Sequence, residues 1–274
     1  SRKKKTKIMR YICALTIAGS DSCGGAGVQA DIKTMSALGV YAASAITSVT
    51  VQNTLGVQAI QAIQPEIVAG QIRAVMDDIK PTAIKVGMVN DQTTILAIAD
   101  TLQQYSPQKL IVDPVMVSTS GSTLMHEDAL GTFCSRLLPM ATLLTPNIPE
   151  AEVLSNRSIR SIDDMDAAGR SILALGCKAV LIKGGHLEGR KVDKLYLPNN
   201  EVCSFVHEAI ATRNTHGTGC TLSSAIAAFM ARGLAVAQAK TYLSQALEAG
   251  KDVHIGEGHG PVNHLFNPEK QIIL

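Results

Sequence analysis

A chain of 274 residues, 46% of them hydrophobic, is long enough for one large core or two small ones, and no apolar run in it reaches bilayer length. The formal charge of +2 is unevenly placed: six of the 25 basic residues and no acidic ones fall in Ser1–Arg10, leaving 19 basic against 23 acidic residues in the body. An acidic body with no Trp, four Phe and five Tyr offers single-stranded nucleic acid few stacking platforms, so neither a nucleic acid nor a membrane is the expected partner.

Residues 1–10 read as a disordered basic tail, and residues 11–274 as a single domain. The first strand is expected at Tyr11–Ala18. It leads into AGSDSCGGAGVQADIKT, Ala18 to Thr34, where Gly19, Gly24, Gly25 and Gly27 permit sharp turns and close approach of a ligand, and Asp31 lies one turn into the next helix. The spacing departs from the GxGxxG dinucleotide pattern, and the absence of GxxxxGKS/T excludes a Walker-type phosphate loop.

Ala45–Val51 reads as a second strand, and Val68, Ile72, Val75, Met76 and Ile79 then keep helical spacing. Strand Ala83–Val86 is followed by a helix through Ile95, Ile98 and Leu102. Strand Lys109–Val112 ends in Asp113-Pro114-Val115-Met116, and strand Ala141–Leu144 in Thr145-Pro146-Asn147-Ile148-Pro149-Glu150. Ser161 with Asp164 forms a capping-box start for a helix through Met165, Ala168, Ile172 and Leu175, with Gly176 as its stop. Strand Ala179–Ile182 ends in Lys183-Gly184-Gly185-His186. Last come Thr215-His216-Gly217-Thr218-Gly219-Cys220 and a helix whose buried stripe is Leu222, Ile226, Phe229 and Met230.

Runs that are apolar on both faces and alternate with helices predict a doubly wound α/β domain with a mostly parallel sheet and helices on both faces. Ligands of such a sheet gather at the carboxyl ends of the strands. Those ends carry a carboxylate (Asp113), an Asn147/Glu150 pair three apart, and a cation beside glycines (Lys183), while a glycine-rich helix start exposes backbone N–H groups to an anion. Each feature alone has an ordinary reading: turn former, helix-start residue, solvated strand end. Together they describe phosphoryl transfer, with Mg²⁺ held by acidic and amide oxygens (Asp113, Glu150 and Asn147), Lys183 on phosphate and Cys220 as proton acceptor. The helix start is expected to lower the Cys220 thiol pKa and supply thiolate near neutrality.

The six cysteines, at 13, 23, 134, 177, 203 and 220, form no CxxC pair or zinc-spaced cluster. With no visible signal peptide, a reducing cytoplasm is the expected compartment. His254, His259 and His264, set among glycines, are expected to be surface loop residues.

The stretches AGSDSCGGAGVQADIKT, KVGM (85–88), DPVM (113–116), TPNIPEAE (145–152), KGGH (183–186) and NTHGTGCTLSSAIA (214–227), in consistent order over about residues 11–266, resemble the hydroxymethylpyrimidine/phosphomethylpyrimidine kinases of thiamine biosynthesis. That family lies in the ribokinase-like superfamily. The resemblance implies a ribokinase-like fold, a cytoplasmic homodimer, and two ATP- and Mg²⁺-dependent steps, with K⁺ as an additional ion to test. The steps phosphorylate 4-amino-5-hydroxymethyl-2-methylpyrimidine and then its monophosphate. It places the pyrimidine among Gly19, Asp31, Gln52, Met88 and Val115. Asn147, Lys183 and Thr218 fall on the ATP-phosphate side, Glu150 and Asp113 on the metal, and Gly217, Gly219 and Cys220 at the anion hole and catalytic position. Gln238–Glu257 is expected to close over adenine.

Two positions depart from common patterns: Cys220 stands where many ribokinase-like enzymes carry Asp, and Thr119 where many relatives carry Lys. Ser118 occupies a position where some pyridoxal kinases carry Cys. A pyridoxine or pyridoxal kinase is the alternative on the same scaffold. A non-catalytic vitamin- or nucleotide-binding sensor is disfavoured by the full set Asp113, Glu150, Lys183 and Cys220.

Overall fold

The structure is a computed structural model that describes residues 8–184, 186–187 and 190–274. Its strands are β1 (Cys13–Asp21), β2 (Tyr41–Asn53), β3 (Gly56–Ala62), β4 (Ala83–Val86), β5 (Leu110–Val112), β6 (Leu143–Leu144), β7 (Val180–Ile182), β8 (His186–Leu187), β9 (Arg190–Tyr196) and β10 (Val202–His207). They form one sheet in the order β10-β9-β7-β6-β5-β4-β1-β2-β3, with β8 paired to β9. The helices are α1 (Gly27–Ala37), α2 (Pro65–Asp78), α3 (Gln92–Tyr105), α4 (Leu130–Thr132), α5 (Ile148–Ser155), α6 (Ile162–Leu173), α7 (Thr218–Ala231) and α8 (Val236–Gly250).

All six expected strands occur, and they are the parallel centre of the sheet, from β2 through β1, β4, β5 and β6 to β7. Period-two alternation sorts their side chains. Leu15, Ile17, Ile84, Val86, Leu110 and Val112 pack towards α2, α3 and α6. Ala14, Ala83, Ile111, Leu143 and Leu181 pack towards α7 and α8, with Met35 and Ala37 of α1. Both faces are therefore covered, which is why these strands are largely apolar, with Thr16 of β1 and Lys85 of β4 as buried polar exceptions. The strands the sequence did not reveal, β3, β8, β9 and β10, are antiparallel additions at the two edges. GVQAIQA of β3 is half polar because an edge strand keeps contact with water, whereas the polar residues Asp193 and Lys194 of β9 are buried in ion pairs with Lys240 and Asp166.

Side-chain caps start α3, α5 and α6. Ser161 Oγ accepts from Asp164 N at 3.1 Å, as expected for the start of α6. The Asp164 carboxylate reaches past the cap to Arg160 N (2.9 Å), so the reciprocal half of the box is displaced by one residue. That helix ends at Leu173, and Leu175 is exposed outside it. The expected tail falls mostly on residues 1–7, outside the described residues, whereas Arg10 already exchanges backbone hydrogen bonds with Leu274. Among the described residues no helix is long and apolar enough to cross a membrane.

The connection through α1 carries the chain from β1 to β2 on one side, while β4 joins β1 on the other. The sheet order thus diverges at β1, and the carboxyl ends beside that divide are where a doubly wound sheet opens a crevice.

Candidate active site

The crevice is a cavity of roughly 500 Å³ lined by the loops after β1, β4, β5, β6 and β7 and by the start of α7. That volume suits small-molecule ligands. Of the expected site residues, Gly19, Gln52, Met88, Asp113, Val115, Asn147, Glu150, Lys183, Gly217, Thr218, Gly219 and Cys220 all line it. Asp31 does not.

Asp113 is held at the end of β5 by its own N–H, which donates to Val86 O at 2.9 Å, and its carboxylate accepts from the Thr145 hydroxyl at 3.2 Å. Lys183 Nζ lies 3.3 Å from Asp113 Oδ1. Burial disfavours the lysine charge, but Asp113 and Glu150 outweigh it and raise the Lys183 pKa above its usual value. Asn147 is the N-cap of α5: its Oδ1 accepts from Glu150 N and its N–H donates to Glu150 Oε2, both at 2.9 Å. Both halves of a capping box are present, so the ordinary helix-start reading and the cavity-lining position hold together, and the Asn147 side-chain oxygen is engaged as a cap. Glu150 is 7% exposed. Burial pushes its pKa up to about 7; Lys183 opposes the shift and Asp113 adds to it.

Gly217 caps α7 with φ +76°, and a Cβ there would lie 1.8 Å from Gly25 O. Two glycine backbones are thus in direct contact, a requirement no other residue meets. A Cβ on Gly219 would stand 3.3 Å from Lys183 Nζ and 3.6 Å from Asp113 Oδ2, so the first turn of α7 meets the lysine and the carboxylate at one point. First-turn N–H groups lack a carbonyl four residues back and face that point with the positive end of the helix.

Cys220 corrects one expectation. Its thiol pKa rises to about 11, because burial dominates; Lys85 pulls it down, and Asp31 and Asp113 push it further up. The helix start does not produce thiolate near neutrality. Asp31 is fully buried, accepts from Thr16 Oγ1 at 2.6 Å and pairs with Lys85 Nζ at 2.7 Å. Its carboxylate is the counter-ion that holds Lys85 protonated inside the wall.

At the other end of the cavity, Met88 lies against Gly19, whose missing side chain leaves room for its Cε. Gln52 Oε1 accepts from Thr50 Oγ1 at 3.2 Å. Ser118 and Thr119 line the cavity from a small hairpin closed by the Val117–Thr123 bridge. Gly185 lies outside the described residues.

Several lining residues had no place in the sequence reading. Asp21 and His216 sit inside quoted motifs, and their nearness to glycines was the available signal. Asp193, His207 and Lys240 come from β9, β10 and α8. Asp193 accepts from Gly184 N at 2.7 Å and pairs with Lys240, which ties the antiparallel edge to the lysine loop. Within Gln238–Glu257, only Lys240, Leu243, Ser244 and Leu247 reach the cavity. His264 is buried and shares a 3.0 Å hydrogen bond with Thr221 Oγ1, so the expected surface position holds only for His254 and His259.

The sequence pattern of the phosphomethylpyrimidine kinase family matches residues 21–263. A hydroxymethylpyrimidine/phosphomethylpyrimidine kinase of Rhizobium meliloti is 48% identical over 257 residues, 92% of this chain and 96% of its own. The crystal structure of phosphomethylpyrimidine kinase from Clostridium difficile superposes with a TM-score of 0.78 at 46% identity, over 86% of this chain and 99% of that one. An ADP complex of Bacillus subtilis pyridoxal kinase superposes with a TM-score of 0.82 at 34% identity, over 93% and 97%.

Proposed function

The chain belongs to the phosphomethylpyrimidine kinase family, and from that membership and the cavity geometry we infer that it phosphorylates 4-amino-5-hydroxymethyl-2-methylpyrimidine with ATP and then phosphorylates the monophosphate. The observation that carries this reading is the meeting of Lys183, Asp113 and the Gly219 backbone in a cavity that continues to Gln52, Met88 and Val115.

Gln52 can donate to and accept from an aminopyrimidine edge, while Met88 and Val115 offer apolar contact to the ring. Lys183 supplies positive charge for phosphate oxygens, and the first-turn N–H groups of α7 favour the charge that develops on the transferred group. Leu243 and Leu247 of α8 offer apolar surface for the nucleotide base, with Lys240 beside them. Two buried carboxylates sharing one lysine make a hard oxygen donor set, which fits a divalent cation. Glu150 and Asp113 would hold Mg²⁺, which would offset the negative charge of the phosphates. The protein then contributes mainly position and electrostatic stabilisation, which are the chief demands of phosphoryl transfer.

The likeness to the Bacillus subtilis pyridoxal kinase structure supports a second reading, transfer to pyridoxal in the same cavity. The deciding experiment supplies ATP and Mg²⁺, with and without K⁺, to the protein with each alcohol, and follows ADP release and product mass. Conversion of the pyrimidine to its mono- and diphosphate is the expected result. Turnover of pyridoxal with none of the pyrimidine would replace the first reading by the second.

A further inference from the structure

The glycine loop after β1 and the start of α7 are 195 residues apart in sequence, yet one side-chain hydrogen bond joins them: His216 Nε2 lies 2.8 Å from Asp21 Oδ2, with both residues buried. Asp21 is also the organiser of its own loop. Its Oδ1 accepts from Cys23 N at 2.8 Å, and its Oδ2 accepts from Gly25 N at 3.1 Å and Ala26 N at 2.8 Å. With backbone donors on both oxygens, the carboxylate requires a donor at His216 Nε2 as well. The cluster of Asp21, Cys23 and His216 therefore reads as a satisfied hydrogen-bond centre, because a cation there would have to displace N–H donors already in place.

The rest of the contact between the two segments is glycine on glycine, Gly25 against Gly217, with the His216 ring over Gly25. Such backbones can slide, since neither carries a side chain to set the register. We propose that the Asp21–His216 hydrogen bond is a latch that docks the glycine loop on the start of α7, making His216 a positioning residue for phosphoryl transfer. The loop it fixes runs on to Gly27, which lines the cavity together with Cys220, four residues beyond His216. The latch thus holds the contact of Gly25 with Gly217 next to Cys220 and the first-turn N–H groups, joining the two segments into a ring. Misplacing such groups by about 1 Å can cost on the order of 100-fold in rate. His216 also donates its own N–H to Gly260 O (3.1 Å), which anchors the ring from the carboxyl-terminal side.

The proposal rests on the kinase reading for its catalytic consequence, though the latch itself can be read without substrate. Two variants of the full chain separate hydrogen bonding from ring packing: His216→Leu removes the donor, and His216→Gln keeps an N–H at similar reach. The expected kinetic result is a roughly 10- to 100-fold lower kcat for His216→Leu with KM values for ATP and pyrimidine within about threefold of wild type, and recovery of most of kcat in His216→Gln. Amide hydrogen exchange on the substrate-free protein should be faster at residues 23–27 and 217–220 in His216→Leu than in His216→Gln. If His216→Leu folds poorly, Asp21→Asn tests the same bond. Unchanged exchange in both segments overturns the latch whatever the substrate. Equal impairment of Leu and Gln variants overturns it in favour of ring packing. A wild-type protein inactive on both alcohols would sink the kinase reading, and the exchange experiment would still decide the latch.

Discussion

At Glu150 burial and function pull in opposite directions. The folded carboxyl titrates at about 7 against an ordinary 4.5, so between those values the folded state holds the proton more tightly than the unfolded one, and stability falls as pH rises through that window. A divalent cation at Glu150 and Asp113 would favour the carboxylate and reverse the loss. The melting temperature of the ligand-free protein is therefore expected to drop from about pH 5 to 7 more steeply than that of Glu150→Gln, with Mg²⁺ reducing the difference. Parallel melting curves for the two proteins would refute the assignment. Cys220 presents the reverse problem. With a thiol near 11 it is protonated at neutrality, so as the proton acceptor it must give a kcat that rises with pH. Base catalysis is typically worth about 100- to 10,000-fold, and the Cys220→Ala deficit should grow from about pH 7 to 9 as that contribution appears. A flat wild-type profile would remove Cys220 from proton transfer. Gln52→Leu leaves the polar edge of the bound ring unmatched, at about 1–3 kcal/mol per lost partner, and should lower kcat/KM for the pyrimidine roughly 10- to 100-fold while KM for ATP holds. An unaltered kcat/KM would place the ring elsewhere.

At the scale of elements, α5 couples stability to the site because its cap is made by two cavity residues. Removing Asn147 Oδ1 leaves Glu150 N without its partner, and loss of such a cap costs about 1 kcal/mol. For a domain of this size that is about 2 °C in Tm. Asp91 gives a control, since it caps α3 through Thr94 N at 2.8 Å. Asn147→Ala and Asp91→Ala should melt at similar temperatures. Only Asn147→Ala should raise KM for Mg·ATP, because it alone loosens the segment carrying Glu150. Equal KM values in the two variants would reduce Asn147 to a cap.

Among the described residues the sheet ends in two edge strands, β10 and β3, and the β3 edge lies next to exposed Val49 and Val51 of β2 and Leu55 of the turn between them. Unpaired edges with apolar side chains invite another strand, and a second copy of this chain is the partner implied by the family resemblance. The homodimer we propose buries this hairpin. Val49→Lys combined with Leu55→Lys should then convert a dimer into a species of about 28.9 kDa in sedimentation, with kcat per chain as the accompanying measurement. A wild-type protein that already sediments at one chain mass would show the edge to be free.

The sequence by itself determined the parallel centre of the sheet and the strand-end and glycine residues that line the cavity beside it. Strands buried on both faces must be apolar runs, and close backbone approach must use glycine, so β1, β4 and β5, and Gly217 with Gly219, are visible as local composition. Asp113, Glu150 and Lys183 were legible because they follow such runs directly. The antiparallel edges were not, since β3 and β9 are half polar and resemble loops until a neighbour strand supplies their hydrogen bonds. Only the tertiary structure decided what Asp31, Cys220 and His216 do. Asp31 is the partner of Lys85, 54 residues away; the Cys220 thiol is set by burial and surrounding charge; His216 meets Asp21 across 195 residues. Desolvation and Coulomb energies depend on neighbours in space, and a chain read in order does not state which of its distant residues will be those neighbours.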